Sequence, residues 1–585
     1  MQPTGPARSL SLAAAAALSL GCASAGRFPL REPVLRDPDL TPVALPCRPD
    51  PTPEDPKHVS CAPEEYISPL AWDAADNSIF LPFAKVWAVD PGSEATNVNS
   101  LDEVPDSAWF TNRYVRRGIE LEALRRGACR KDQMLDGEAA ADGAWLIDKG
   151  KTNGSSPGFR VKIPGRGKFL FKADSKEQPE RPSAASVIGA AVYAAAGFNT
   201  SCEQVVYFRR SALKLAPGLT VTDNSGITRK FDEKALEKVL DEASRKGDLI
   251  RMQASAWLPG HLIGPFKYEG TRADDPNDRV RHEDRRDLRG GRLVAAWLDH
   301  FDAREQNSMD SWISLDKKRD EASPGFVRHY YLDTSDCLGS EWAWDPVSRR
   351  LGHSYLLDFG DIGTDFITLG VLTRPWDTAE RTKGQEVFGY FHVGDFVPDR
   401  WKNEYPNPAF SRQTELDGAW MARVLARFDR PAVRALAEMG QFTAPGRTDY
   451  LTDLLEGRLE LILDRYLTRL SPIGDVAVEG GARLCGTDFA SLRGVRPGVR
   501  RHYAGAARVD GGAPRALAAS TAPGSRVCVD LPHVAADGGA PDGAASRYVV
   551  VRVTDGMAPG PLVAHLYDLG PRRGYRLAGI ERPPS

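Results

Sequence analysis

Beyond its first 25 residues, the 585-residue chain has no apolar run long enough to cross a bilayer, so its body is expected to be soluble. It lacks a Cys-x-x-Cys pair and any Cys/His cluster at ligand spacing, which removes the common zinc folds. Its ten histidines, among them His261, His282, His300, His329 and His353, are too dispersed to argue a metal site, and structural roles are expected for them. Excess charge is missing too. Lys and Arg number 76 against 79 Asp and Glu, a formal net charge of −3 without a basic patch. That leaves no electrostatic case for nucleic acid. No internal repeat is evident. The glycine-rich turn at residues 149–158 has the spacing of neither a P-loop nor G-x-G-x-x-G.

What is present begins with a targeting segment. Arg8 and the apolar run Leu10 to Leu20 read as a signal peptide over residues 1–25. Leu20-Gly21-Cys22 resembles a bacterial lipobox, in which Cys22 is lipidated, although Ser19 stands where Leu is usual. Ala23-Ser24-Ala25 offers an ordinary cleavage site instead. Both endings imply export, as an inner- or outer-membrane lipoprotein facing the periplasm or cell surface, or as a fully secreted protein. The membrane would be met only through the N-terminal lipid.

The seven remaining cysteines suit an oxidising compartment. Cys47 can pair with Cys61, and Cys485 with Cys528. Pairing among Cys129, Cys202 and Cys337 is open, and one of them is left over.

The expected fold class is α+β. Residues 26–70 read as a proline-rich tether and residues 71–250 as a β-rich lobe. Residues 251–470 read as a mainly helical lobe and residues 471–585 as a small all-β, sandwich-like module. Strands are expected at 144–147, 159–163, 168–172, 203–209, 326–332 and 353–357. Helices are expected at 183–196, 231–246, 288–299, 418–426, 431–439 and 449–470. The mixed-charge run 274–289 reads as a solvated, salt-bridged loop and helix start.

The chemistry concentrates in His300-Phe301-Asp302-Ala303-Arg304-Glu305-Gln306-Asn307. Protein kinases set a catalytic Asp and a metal-binding Asn five residues apart on one loop. On that pattern Asp302 accepts or orients an acceptor hydroxyl, Arg304 neutralises the transferring phosphate and Asn307 holds magnesium. The flexible turn carrying Gly154 and Gly158 offers backbone amides to phosphates, and Lys172, ending the strand 168–172, offers a charge. A second metal Asp has two candidates. Asp358 begins the letters Asp358-Phe359-Gly360, and Asp333 ends the apolar strand 326–332. Asp333 is favoured, because a metal Asp beside the loop requires the shorter connection. A rival, the G-x-S-x-G elbow at Gly154, Ser156 and Gly158, fails because Pro157 has no N–H for an oxyanion hole.

From Asn97 to Pro584 the chain resembles an uncharacterised family of exported bacterial proteins with an atypical protein-kinase-like core, distantly similar to HipA-type and secretory-pathway kinases. The matching strings include residues 102–113, Pro157-Gly158-Phe159, Phe171-Lys172, residues 264–272, the octet, residues 328–340 and residues 401–410. The resemblance implies a two-lobed kinase-like domain with Mg2+ and ATP as cofactors and a hydroxyl acceptor. It also assigns the metal Asp to Asp333, where relatives read Asp-Phe-Gly-Ser and this chain has Asp333-Thr334-Ser335-Asp336. Such folds pair the phosphate Lys with a Glu on the next helix. Here helix 183–196 has no acid, Ser186 stands in that place, and Glu177, Glu180 and Glu203 are the available substitutes. A catalytically degenerate scaffold that binds a ligand or an envelope partner is therefore the alternative to an active phosphotransferase.

Overall fold

The computed structural model describes residues 27–49, 51, 57, 59–61, 75–81, 83, 92–114, 118–151, 156–222, 227–316, 323–342, 344–532 and 547–584. The signal segment with Cys22, much of the tether, and Gly154 lie outside the described residues. The fold is mixed α+β, with several sheets and many helices.

Three strands open the first sheet: β1 (Trp145–Gly150), β2 (Gly158–Ile163) and β3 (Gly167–Lys172). They pair antiparallel, β2 and β3 through a short turn, and Phe159 and Phe171 sit opposite each other in the ladder. Their alternating apolar residues fill a core with Trp145, Ile147 and Val161. Helix α1 (Arg181–Ala196) follows, and all 16 of its residues are buried. Its alanines allow close approach on every side. Position 189 tolerates only glycine, since a Cβ there would lie 2.5 Å from the Cβ of Thr334. The helix stops at Gly197, whose φ of +125° no L side chain adopts readily. The chain returns to the same sheet as β4 (Glu203–Phe208), β5 (Leu213–Leu215), β6 (Arg245–Lys246) and β7 (Leu249–Ala256). Strand β7 lies between β3 and β4 and sets Gln253 opposite Lys172.

A three-stranded antiparallel sheet comes next in the chain: β8 (His261–Gly264), β9 (Ser308–Ser314) and β10 (Gly325–Tyr331). Helix α2 (Arg286–Leu298) lies between β8 and β9 in sequence and delivers the octet directly into β9. Helix α3 (Phe359–Ile367) has no buried residue, whereas a large apolar cluster joins α1 and α2 to the later helices α4 (Glu415–Leu425), α5 (Arg430–Met439) and α6 (Arg447–Tyr466). After α6, residues 473–581 form a four-stranded and a five-stranded antiparallel sheet around their own valine-rich cluster. Among the described residues no helix is long and apolar enough to cross a membrane.

Three local expectations need correction. The helix expected over 231–246 spans only Glu233–Leu240, because Gly247 at φ +62° turns the following residues into the β6–β7 hairpin. Residues 353–357 form turns rather than a strand, and the Leu356 amide bonds to the Glu404 carbonyl at 3.0 Å. The run 274–289 is not a solvated loop. Asp275, Asp278, His282, Glu283, Arg285, Arg286, Asp287 and Arg289 are all buried. Arg286 donates to Asp102 at 2.5 Å and to Asp417 at 3.1 Å, and Arg289 reaches Asp284 at 2.8 Å. Each charge finds a partner, the condition for burying so many.

The cysteines resolve into Cys47–Cys61, Cys129–Cys202 and Cys485–Cys528. Among the described residues Cys337 is the free thiol, and it is buried.

Candidate functional site

The β3 strand ends at Lys172, which is almost wholly buried, and its Nζ stands 2.7 Å from Asp333 Oδ1. Burial opposes the ammonium's charge, but the Asp333 carboxylate outweighs it and holds Lys172 above its usual pKa. Burial likewise opposes the charge of Asp333. Lys172 reverses this and keeps the carboxyl well below the ordinary carboxylate range. Asp333 follows β10 directly in a left-handed conformation, φ +48°, which turns its side chain back toward β3. Oδ1 also accepts from Ser335 Oγ at 2.6 Å. Oδ2 makes no hydrogen bond or ion pair with a described residue, and about a third of the side chain is open to solvent, 35% by surface.

The octet lies beside this pair. Helix α2 ends at Asp299, itself left-handed at φ +55°, and this throws the next residues into the loop. His300 is fully buried, its Nδ1 is 3.0 Å from the Tyr193 hydroxyl, and burial lowers its pKa to about 4. It is a neutral anchor joining the loop to α1. Asn307 donates Nδ2 to the Asp302 carbonyl at 2.7 Å and so closes the loop on itself. The Asn307 carbonyl accepts the Leu332 amide at 2.9 Å, which fixes Asn307 next to Asp333. Its Oδ1 is left without a described partner.

Asp302 pairs with Arg304, Oδ1 to Nε 2.6 Å, and Arg304 also reaches Glu404 at 3.3 Å. Burial pushes the Asp302 carboxyl well above its ordinary value. Arg304 opposes that shift, while Asp336 and Glu404 add to it. Arg304 is thus held between two carboxylates rather than projecting as an isolated charge.

The substitutes for the missing helix acid separate cleanly. Glu177 is exposed and bonded to Ser175. Glu180 is taken by Thr443 and Arg447. Glu203, on β4, sits among Ser201, Ser255 and Gln253, and its charge acts on Lys172. Burial raises the Glu203 pKa. The carboxylate bearing on Lys172 therefore comes from a neighbouring strand, not from α1.

Asp358 has a different role. Its Oδ1 accepts the Gly360 and Asp361 amides as the N-cap of α3, and its Oδ2 is 2.5 Å from Lys402 Nζ. Both oxygens are engaged. Gly158 is described, and a Cβ there would lie 2.3 Å from the Phe171 carbonyl oxygen. This glycine serves strand packing.

Three further residues escaped the sequence reading. Lys151, at the end of β1, donates to the Ser156 carbonyl at 2.6 Å. Burial and the nearby Lys172 lower its pKa to about 8. Asp336 acts on Lys151, Lys172, His300 and Asp302 together. Glu404 lies beneath the octet, its amide bonded to the Phe301 carbonyl at 2.7 Å. Lys151 adjoins the glycine turn and Asp336 lies three residues past Asp333, so spacing alone could have nominated both.

The donor set suits magnesium. The half-open Asp333 carboxylate and the Asn307 amide oxygen are hard oxygen donors, and Mg2+ keeps waters and phosphate oxygens in its remaining positions. Among the described residues, the one group of three His, Cys, Asp or Glu ligands within metal-holding distance is Glu479, Cys485 and Cys528, whose sulfurs form a disulfide.

In comparisons with known proteins the chain matches no family model, no curated protein sequence and no solved structure.

Proposed function

We propose that the chain is an exported, kinase-like phosphotransferase that moves phosphate from a magnesium nucleotide, ATP by chemistry, to a hydroxyl acceptor. On this reading residues 71–250 and 251–470 are the two lobes, and residues 471–585 are a C-terminal β module. The observation that carries it is the joining of three distant segments by direct contacts. Lys172 meets Asp333 at 2.7 Å, the Leu332 amide meets Asn307, and Asn307 meets the Asp302 backbone. Phosphoryl transfer needs those functions side by side: a cation for phosphates, oxygen ligands for magnesium and a carboxylate at the acceptor.

Asp333 and Asn307 would hold the metal, and Lys172 with Lys151 would face the phosphates. Bound magnesium would neutralise phosphate charge. Asp302 would orient the acceptor hydroxyl. Burial raises its pKa toward the operating range, which suits a group that must take a proton. Relatives of the kind the sequence resembles would share this arrangement, and the N-terminal lipobox would place the protein at the envelope. No nucleic-acid partner is proposed.

One observation favours the second reading, a scaffold that binds without transferring. Helix α1 carries no acid, and Lys172 is paired with the metal carboxylate itself. Single-turnover transfer from radiolabelled ATP separates the two. The enzyme reading expects magnesium-dependent loss of the γ-phosphate from wild type. It also expects a fall of about 100-fold or more in Asp302→Ala, with nucleotide binding retained. Binding without turnover in both proteins selects the scaffold, and no nucleotide binding by either overturns the enzyme reading.

A further inference from the structure

A cavity of about 340 Å³ lies against α1, walled by Ala191, Ala194 and Ala195. Its volume falls in the usual range for small-ligand pockets, roughly 300–1,000 Å³. Three arginines line it: Arg130, which is paired with Asp132, and Arg113 and Arg328; Trp257 and Tyr330 line it as well. Among the described residues no Asp or Glu lines it. Arg286, by contrast, has Asp102 and Asp417, and Arg251 has Asp174, whereas the buried Arg181 and Arg458 donate to backbone carbonyls as Arg113 does.

Arg113 donates Nη1 to the Ala194 and Phe198 carbonyls at 2.6 and 3.0 Å, so neutral backbone holds its side chain in place. Burial lowers its pKa, and Arg328 lowers it further, while Tyr114 and Asp106 act in the opposite sense. Asp106 spends its Oδ1 on Asn112. Arg328 makes no ion pair with a described residue. Its guanidinium lies over the Phe326 ring at 5.2 Å and bears on the Tyr330 hydroxyl. Two like charges converging on one cavity without an acid repel each other until an anion enters. The walls are preset as well. The Cys129–Cys202 disulfide ties the loop after residue 127 to the start of β4, and Cys202 lines the cavity.

We infer that this cavity is a binding site for a small organic oxyanion with a flat apolar body, its oxyanion held by Arg113 and Arg328 and its body lying between the α1 alanines and Trp257. The geometry is independent of the phosphotransfer reading, because Lys172 and Asp333 take no part in it.

The test is calorimetric titration of the full chain with phenyl phosphate, with phenol and inorganic phosphate as controls. Wild type is expected to bind phenyl phosphate saturably and more tightly than either control. Arg328→Gln, which breaks no ion pair, is expected to weaken binding at least about tenfold, the equivalent of one charge-assisted hydrogen bond. Lys172→Met is expected to leave it unchanged. Trp257→Ala, at the exposed mouth, is expected to weaken it as well and serves if Arg328→Gln does not fold. The proposal is overturned by the absence of saturable binding up to about 10 mM, weaker than almost any built site. It is equally overturned by phenol binding as well as phenyl phosphate, by unchanged affinity in the folded Arg328→Gln or Trp257→Ala protein, or by loss in Lys172→Met alone.

Discussion

Two buried charged regions behave in opposite ways. In the stretch 274–289 the buried arginines and His282 are answered by carboxylates within the protein. Arg286 holds Asp102 and Asp417, Asp102 also takes Arg582, and His282 holds Asp278 at 2.7 Å. Around Lys172 the accounts stay open: Asp333 keeps one oxygen without a described partner, Asn307 keeps its amide oxygen, and Asp302 is pushed toward its protonated form. A saturated network fastens a fold, whereas an unsaturated one is poised for something absent from the chain. The distinction is one of valence and exposure, not of composition, since both regions are rich in Asp and basic residues.

Removing one member from each region sharpens that contrast. The largest effect on stability is expected from Arg286→Met. It removes one cation from both Asp102 and Asp417, which keep Arg582 and Arg289, and should destabilise the protein by about 3 kcal/mol, read as a fall in the denaturant midpoint. Lys172→Met strands only Asp333, whose side chain is about one third open, so about 2 kcal/mol is expected, with loss of nucleotide affinity. Asp358→Ala removes a helix cap and the Lys402 pair. It should cost about 1 kcal/mol and leave nucleotide affinity within a factor of about two. An Asp358→Ala protein that folds but loses nucleotide would break the comparison.

The smallest effect is a pH dependence. Lys151 is charged below about pH 8 and neutral above it. Its attraction for phosphate is therefore fully present at lower pH and lost as pH rises through about 8. Nucleotide affinity is expected to fall several-fold between pH 7 and pH 9 in wild type, and to stay flat over that interval in Lys151→Met.

Local signals made much of the fold legible. The alternation of residues 159–163 and 168–172 marks β2 and β3, and the alanine-rich stretch ending at Gly197 marks α1. The octet was readable because one loop carries its whole spacing. Asp333 could be preferred over Asp358 from connection length, although the letters Asp-Phe-Gly stand at Asp358. Those letters serve a helix start, since an Asp followed by two free amides is an N-cap. Tertiary pairing was not legible. Glu203 reaches the neighbourhood of Lys172 only because β7 lies between β3 and β4. Glu404 bears on Asp302 from about a hundred residues away, through one backbone bond to Phe301. The run 274–289 misled because its polarity is that of a surface, and only Asp102, Asp417 and Arg582 make its burial tolerable. The Cys129–Cys202 pairing likewise depends on the strand order, which places the start of β4 beside the loop after residue 127.

The most direct test is magnesium-dependent binding of ATP by wild type, Asp333→Asn and Asp358→Asn, measured by calorimetry with and without the metal. Wild type and Asp358→Asn are expected to bind only with magnesium present, and Asp333→Asn is expected to lose at least about 100-fold in affinity. Equal affinity in wild type and Asp333→Asn, or no magnesium-dependent binding by wild type, would contradict the assignment of Lys172 and Asp333 to a nucleotide site.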